Sequence, residues 1–398
     1  LITGRGAAPL RRSEELHDVE VIDEGALAWR DGRITYAGSA AGLPEQERSL
    51  PAVSVDTAVI PGLVDCHTHI PFYGWRDDEF ERRRAGSSYQ EVHHSGGGIF
   101  RSSQQLQTAT DQEVLSFCRA LTDEMLAHGT TAVEFKTGYA VSLDGELRLA
   151  RLARQLGTEI PQRSSVTLVA CHTTPSGWTA EQWVDLACEE LIPAAAEDGL
   201  VDAIEVYVED VGFTVAELER VMPVAERYGL PVHCDADQLG AYGATEVAVG
   251  LGVRSVSNVN FISEAGVQAL QGAATAAVLL PVATLLIGAT PPAKVLSSGV
   301  GVALGTDMNP GTSACISMPE VLAVASALYK KPALPLLSMG TANAAWVLGL
   351  EGEIGSLEVG KWADFIILDG MDVTMVPYRL AHNPVREVWI GGEKVFER

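Results

Sequence analysis

From about residue 56 to residue 354 the chain alternates short apolar runs with amphipathic stretches of helical period, strand then helix, about eight times over. The strand candidates are Ala58–Ile60, Thr131–Phe135, Ser165–Ala170, Ala203–Val208, Val232–Asp235, Ser255–Val259, Ala276–Leu280 and Gly301–Gly305. Helix candidates include Asp111–His128, Gly145–Leu156, Ala180–Asp198, Val215–Tyr228 and Met318–Tyr329. Few architectures absorb such a repeat. Parallel strands need long crossovers, helices make those crossovers, and eight units close into a (β/α)8 barrel. The two ends read differently. Val19–Ile22, Ala26–Trp29 and Ile34–Ala37 precede the repeat, while Asp364–Leu368, Arg386–Ile390 and Lys394–Phe396 follow it, with Gly391-Gly392 as a hairpin turn. The expected chain is therefore α/β. Residues 56–354 form a TIM-like barrel, and residues 1–55 with 355–398 form a small β-sandwich domain built from both termini.

A chain of 398 residues that is 47% hydrophobic is neither disordered nor short of core. Lys+Arg number 28 against 52 Asp+Glu, a net charge of -24. Such a surface repels phosphate backbones and anionic headgroups, so neither nucleic acid nor membrane is an expected partner. An anionic substrate would need its own local positive charge. The uncharged stretch Gly272–Ala293 is long enough to raise a membrane question, but Pro281, Pro291 and Pro292 interrupt it. The cysteines (Cys66, Cys118, Cys171, Cys188, Cys234 and Cys315) show no CxxC spacing, and no signal peptide precedes the first element. A disulfide framework and a thiolate zinc site are not expected, and the expected location is the cytoplasm.

In a parallel barrel the chemistry gathers at the C-terminal ends of the strands, and polar residues fall there. His67 and His69 close the run Pro61-Gly62-Leu63-Val64-Asp65-Cys66-His67-Thr68-His69. Spaced by two, both imidazoles leave the same face and offer one metal two nitrogens. Asp307 ends Leu304-Gly305-Thr306-Asp307, ahead of Asn309-Pro310-Gly311. A lone Asp after a strand is usually a cap or turn residue; at a barrel's catalytic end it reads as a metal ligand or a proton acceptor. His172 follows Val166–Ala170, and Tyr139 follows Thr131–Phe135 through Lys136-Thr137-Gly138, which makes both candidates for a pocket wall.

Pro61–His69 together with Asp307 resembles the amidohydrolase superfamily, as does the closing stretch Ile354-Gly355-Ser356-Leu357-Glu358-Val359-Gly360-Lys361-Trp362-Ala363-Asp364. Further stretches narrow the likeness to the imidazolonepropionase family over nearly the whole chain. These are Glu79–Ser88 with Tyr89-Gln90-Glu91, Ser95-Gly96-Gly97-Gly98-Ile99, Glu134–Tyr139, Ala170–His172, Ala236-Asp237-Gln238-Leu239 and Thr306–Gly311. The resemblance implies a barrel plus β-sandwich enzyme with one divalent metal ion, zinc or iron before manganese. It implies hydrolysis of 4-imidazolone-5-propanoate, a small anionic ring substrate, to N-formimidoyl-glutamate in histidine breakdown, by a homodimer. It implies His67, His69 and Asp307 as metal ligands and Arg76, Tyr89, Tyr139, His172 and Asn309 around the ring and its carboxylate. Asp307, Gln238 and Asn258 are then the catalytic candidates. Arg76 would supply the positive charge that the acidic composition demands, since a guanidinium grips a carboxylate by two hydrogen bonds.

Two positions depart from the family pattern. Its third metal ligand is a histidine; aligned on Ala236–Leu239, that place holds Asp235, with His233 two residues earlier. Its catalytic histidine on the next strand aligns with Asn258, and no histidine occurs between His233 and His382. Asp235 as a fourth ligand would make a harder, less zinc-selective site. Asn258 donates and accepts hydrogen bonds but takes no proton. Other readings therefore stay open: a 2-thioxo-imidazolidinone propionate losing sulfide, a hydantoin propionate, or a non-catalytic barrel that retains only the anion clamp.

Overall fold

The hairpin of β1 (Gly25–Arg30) and β2 (Arg33–Ser39) turns through Asp31-Gly32, the two-residue pair that such turns favour. Of the 398 residues, the computed structural model describes 1–6, 8–88, 91–92, 95–370 and 372–398, without the side chains of Glu14 and Ser297. After the hairpin come β3 (Val59–Pro61) and β4 (Leu63–Asp65), which are separated by Gly62 alone yet belong to different sheets. Gly62 sends its N–H to Asp364 at 3.0 Å, and Leu63 sends its own to Gly129 at 3.1 Å. A Cβ on Gly62 would stand 2.1 Å from Thr131 Oγ1, so only glycine lets the strand change sheets here. The run Ala58–Ile60, expected as the first barrel strand, instead pairs antiparallel in the small sheet, and β4 is the first barrel strand.

The barrel follows in chain order: β4, then β5 (Thr130–Lys136), β6 (Arg163–Cys171), β7 (Ala203–Val208), β8 (Val232–Ala236), β9 (Ser255–Asn258), β10 (Ala276–Leu279) and β11 (Val302–Leu304). Each is parallel to the next. Helices on the outside return the chain, and several start at capping boxes, among them Thr110 with Glu113 before Asp111–Ala127 and Thr214 with Glu217 before Val215–Arg227. The single helix expected over 180–198 is three segments, with a wide π turn at Ala187–Leu191. Pro193, which has no N–H to donate back, accounts for the interruption. Gly272–Ala293 folds as β10, a short helix Pro281–Ile287 and loop. Among the described residues no helix is long and apolar enough to cross a membrane.

β11 and β4 meet through an isolated parallel bridge, Thr68 to Met308. Asp307 N–H donates to His67 O at 2.9 Å and His69 N–H to Met308 O at 2.8 Å. Beneath them the buried Asp65 carboxylate accepts from Thr306 N–H at 3.0 Å and Thr306 Oγ1 at 2.6 Å. The residues that close the barrel are those of the His-x-His and Thr-Asp motifs.

Both termini build the remaining β structure. β12 (Phe365–Leu368), β13 (Val385–Ile390) and β14 (Glu393–Glu397) extend β3 into a four-stranded antiparallel sheet. The β1–β2 hairpin packs on it through Trp29, whose ring centroid lies 5.4 Å from Phe365 and 5.8 Å from Trp389. Val19–Ile22 is no strand; Val21 makes a single bridge to Ile2.

One ion pair ties this unit to the barrel floor. Arg163, opening β6, donates Nε–H and Nη2–H to the two oxygens of buried Asp364 at 2.6 and 3.0 Å, and its guanidinium stacks on Trp362 at 4.2 Å. Arg163 is half-buried and Asp364 buried, so removing the arginine strands the carboxylate. Arg163→Ala should therefore cost about 2–3 kcal/mol of unfolding free energy, read from the midpoint shift in a urea titration. A loss near zero would show that the pair does not hold the two parts together.

Candidate active site

The seam places three ligand-type side chains in one buried cluster. His67 Nε2 lies 3.6 Å and His69 Nε2 3.3 Å from Asp307 Oδ1. Among the described residues, these form the one group of at least three His, Cys, Asp or Glu side chains whose ligand atoms all lie within 4.8 Å of one another. Asp307 sits at φ +55°, a left-handed conformation costly for a residue with a Cβ. Thr312 Oγ1 donates to its Oδ2 at 3.2 Å, leaving Oδ1 toward the imidazoles. Burial, with the charge of Lys136, holds both imidazoles neutral, His69 down to about 3. Metal ligation needs neutral imidazoles. His67 Nε2 is buried and has no hydrogen-bond partner among the described residues. Two imidazoles and a carboxylate around such a gap fit a divalent ion.

Asp235 stands outside that group. At the end of β8, its Oδ1 accepts from Asn258 Nδ2 at 2.6 Å. Burial and the nearby Glu205 push its carboxyl up to about 8, against the pull of that hydrogen bond. Asn258 ends β9 at φ +66°, and its Oδ1 is buried with no partner among the described residues. His233 lies one layer deeper, paired along the sheet with Glu205 and Ser255, its Nδ1 2.7 Å from Ser255 Oγ.

Sequence reasoning missed the layer beneath. Lys136 Nζ pairs with Glu205, lies 3.4 Å from Glu134 Oε2 and reaches 3.3 Å from His67 Nδ1. Glu134 and Lys136 come from β5, Glu205 from β7 and His67 from just beyond β4; β5 and β7 are separated by β6 and meet here through the barrel interior. Burial opposes the ammonium, but Glu134 and Glu205 more than offset it and raise its pKa. A signal existed: Lys136 and the two glutamates are charges inside otherwise apolar strands, where an unpaired charge is seldom tolerated.

The pocket wall is aromatic. His172 stacks on His69 at 5.7 Å with 17° between planes, and its ring lies 5.3 Å from Tyr139 and 5.7 Å from Tyr207. His172 Nδ1–H donates to Gly138 O at 2.8 Å, which fixes the ring's direction. The loop carrying Tyr139 is held by buried Glu146, which accepts from the N–H groups of Gly138, Ala140 and Val141 at 2.6, 2.8 and 2.8 Å. Tyr207 donates its hydroxyl to Gln238 Oε1 at 3.0 Å, while Glu209 takes the backbone N–H groups of Gln238 and Leu239. The Asn309 amide is fully engaged in its own turn. It accepts from Gly311 and Thr312 N–H and donates to Asp307 O and Thr312 Oγ1, all within 2.8 Å. Tyr89 lies outside the described residues. Arg76 is 2% exposed, 3.7 Å from Glu79 and 6.0 Å from the Tyr139 ring. Its Nε and Nη1 are buried without a hydrogen-bond partner among the described residues.

A barrel with two histidines at the end of its first strand and an aspartate at the end of its last has a known home: residues 58–395 match the amidohydrolase family, and the chain belongs to it. Within that family it sits among the imidazolonepropionases. It is 39% identical over 394 residues to the imidazolonepropionase of Rubrobacter xylanophilus, covering 97% of this chain and 94% of that one. It is 40% identical over 336 residues to that of Paraburkholderia phymatum, covering 83% of each. Solved structures share the fold at lower identity. An adenosine deaminase from Xanthomonas campestris with bound zinc superposes with a TM-score of 0.69 at 23% identity, over 95% of this chain and 90% of that one. Guanine deaminase from E. coli gives 0.73 at 17%, over 100% and 97%.

The cluster makes a pH-dependent prediction. Burial raises the Asp307 carboxyl to about 7, so below that pH a proton must leave before the carboxylate can ligate. Chelator competition on metal-stripped protein should show zinc affinity falling about tenfold per pH unit below 7 and levelling above it. Asp307→Asn should flatten that dependence and bring metal content from about one ion per chain to a small fraction, by elemental analysis. Full occupancy in the variant would place the ion elsewhere.

Proposed function

We propose that this protein hydrolyses 4-imidazolone-5-propanoate to N-formimidoyl-glutamate, a step of histidine breakdown, using one zinc or iron ion held by His67, His69 and Asp307. The observation that carries the proposal is Arg76: a buried guanidinium with open donors at the same barrel mouth as the ligand cluster. Its ion pair with Glu79, at 3.7 Å, leaves Nε and Nη1 without a hydrogen bond among the described residues, and buried open donors on a cation call for a further anion, which a propionate supplies. The imidazolonepropionases among the relatives support the ring. A 2-thioxo or hydantoin ring would carry the same propionate, so Arg76 alone does not choose between them; the relatives favour the imidazolone.

In this reading Arg76 takes the carboxylate by a fork of hydrogen bonds, and Tyr139 and His172 flank the flat ring. Water adds to the ring carbonyl carbon, the C–N bond breaks, and the departing nitrogen needs a proton. Asp307, in its carboxylate form, takes the proton of the water and returns it to that nitrogen. Asn258, held by Asp235, presents Oδ1 as an acceptor for a ring N–H. Gln238, fixed by Tyr207 and by the Glu209 grip on its backbone, orients the polar edge of the ring. A divalent ion would add Lewis-acid polarisation and acidify the water.

The test is turnover of imidazolone propionate, followed by formimino product, in the wild type and Arg76→Ala. The variant should lose roughly tenfold to a hundredfold in kcat/KM, mostly through KM, as expected for losing hydrogen bonds to a charged group. Wild-type kcat/KM in Arg76→Ala would show that the carboxylate is held elsewhere. Absence of imidazolone turnover beside vigorous sulfide release from the 2-thioxo analogue would overturn the choice of ring.

A further inference from the structure

The loop after β11 does two jobs within five residues. Asp307 turns to the imidazoles, and Gly311 lies against the Arg76 guanidinium. A Cβ built on Gly311 would stand 1.8 Å from Arg76 Nη2, 2.8 Å from Cζ and 3.3 Å from Nε, so its three nearest neighbours are all atoms of that one group. Gly311 has no positive φ, so its backbone suits alanine as well as glycine. The absence of a side chain is therefore a matter of space, and the space is filled by the guanidinium. Two further bonds set the glycine in place. Asn309 Oδ1 accepts its N–H at 2.7 Å, and Arg83, seven residues after Arg76 along the same short helical segment, donates Nη2–H to its carbonyl.

We infer that Gly311 is the specificity-determining residue of the site: by lacking a Cβ it lets Arg76 stand beside the Asp307 loop, and so sets where a ligand carboxylate sits relative to the reaction centre. This rests on the reading of Arg76 as the carboxylate clamp. The guanidinium has two buried open donors and a flexible stem, so a methyl group at position 311 would displace it rather than disrupt the fold. Ligands bearing an acid would lose affinity, while uncharged ones of the same shape would not. Asn309, whose amide is engaged wholly within the loop, is a positioning residue for the same purpose: it holds the Gly311 N–H and the Asp307 carbonyl in one turn.

A double-mutant cycle tests this, with Gly311→Ala, Arg76→Ala and the double variant, on protein carrying its metal. The probes are imidazole-4-propionate and its uncharged methylamide, with binding read by calorimetry and turnover read on imidazolone propionate. Gly311→Ala should weaken the acid roughly tenfold to a hundredfold, leave the amide within about threefold, and raise KM more than it lowers kcat. The double variant should match Arg76→Ala, because one displacement cannot be made twice. Losses that add in the double variant, or equal losses for acid and amide, would overturn the inference. If Gly311→Ala fails to fold, the double variant decides: recovery of a cooperative thermal transition supports a clash with the guanidinium, and continued failure refutes it. Should Arg76→Ala itself bind the acid as the wild type does, the clamp reading falls first, and that result is distinguishable because it needs no change at Gly311.

Discussion

The seam between the last and first barrel strands governs most of what this molecule can do. A parallel barrel must close, and here the closing contacts are a short set of backbone bonds between residues 67–69 and 307–308, seated on the Asp65–Thr306 pair. Those bonds fix the backbone on both sides of the ligand cluster. Burial raises the Asp65 carboxyl to about 7, while its bonds to Thr306 pull the other way, so the pair works at the edge of ionisation. Closing the barrel and bringing His67, His69 and Asp307 together are the same event. A change that loosened the seam would open the fold and scatter the site at once.

Beneath the seam the interior is charged rather than aliphatic. Lys136 between Glu134 and Glu205 is one cation facing two carboxyl groups, all three of them buried. Isolated charges there would be very costly, and pairing offsets that cost without making the group a large source of stability. What the arrangement supplies is a fixed field under the cluster. Burial, reinforced by the ammonium, keeps His67 and His69 neutral, and burial keeps Glu134 and Asp235 from ionising freely, each held near 8. The two imidazole ligands are thereby kept in the protonation state that a metal requires.

Much of this was legible in the sequence. Strand–helix alternation carried the barrel, because two periods, near 2 and 3.6, cannot be confused over so many repeats. His67, His69 and Asp307 were readable because barrel topology dictates which strand ends meet. Gly62 was only half readable: Pro61-Gly62 marks a break in the apolar run Ala58–Asp65, but only the strand pairing and the closeness to Thr131 show that the chain changes sheets there. The role of Asn309 was hidden for a related reason. Its residue type fits a ligand contact and a turn equally well, and four hydrogen bonds decide for the turn. Lys136 went unseen because its partners Glu205 and His67 lie 69 residues away on either side, and Glu146 because an acid in the first turn of a helix reads as an ordinary helix-start residue.

Asp235 and Asn258 make sense only together. Where the family resemblance would place two histidines, this chain has a carboxylate and an amide joined by a 2.6 Å hydrogen bond between adjacent strands. A buried aspartate replacing the first histidine alone would face the negative Glu205 with no donor of its own. An asparagine replacing the second alone would bury an amide beside an imidazole with one group too many to satisfy. As a pair, the Nδ2 donor meets the carboxylate, and one unsatisfied atom remains, Asn258 Oδ1, aimed by a left-handed backbone that asparagine tolerates better than most residues. The two replacements therefore act as one change. At the sixth strand it exchanges a side chain that can pass a proton for one that only donates and accepts hydrogen bonds, which is why the proposed function assigns the proton to Asp307.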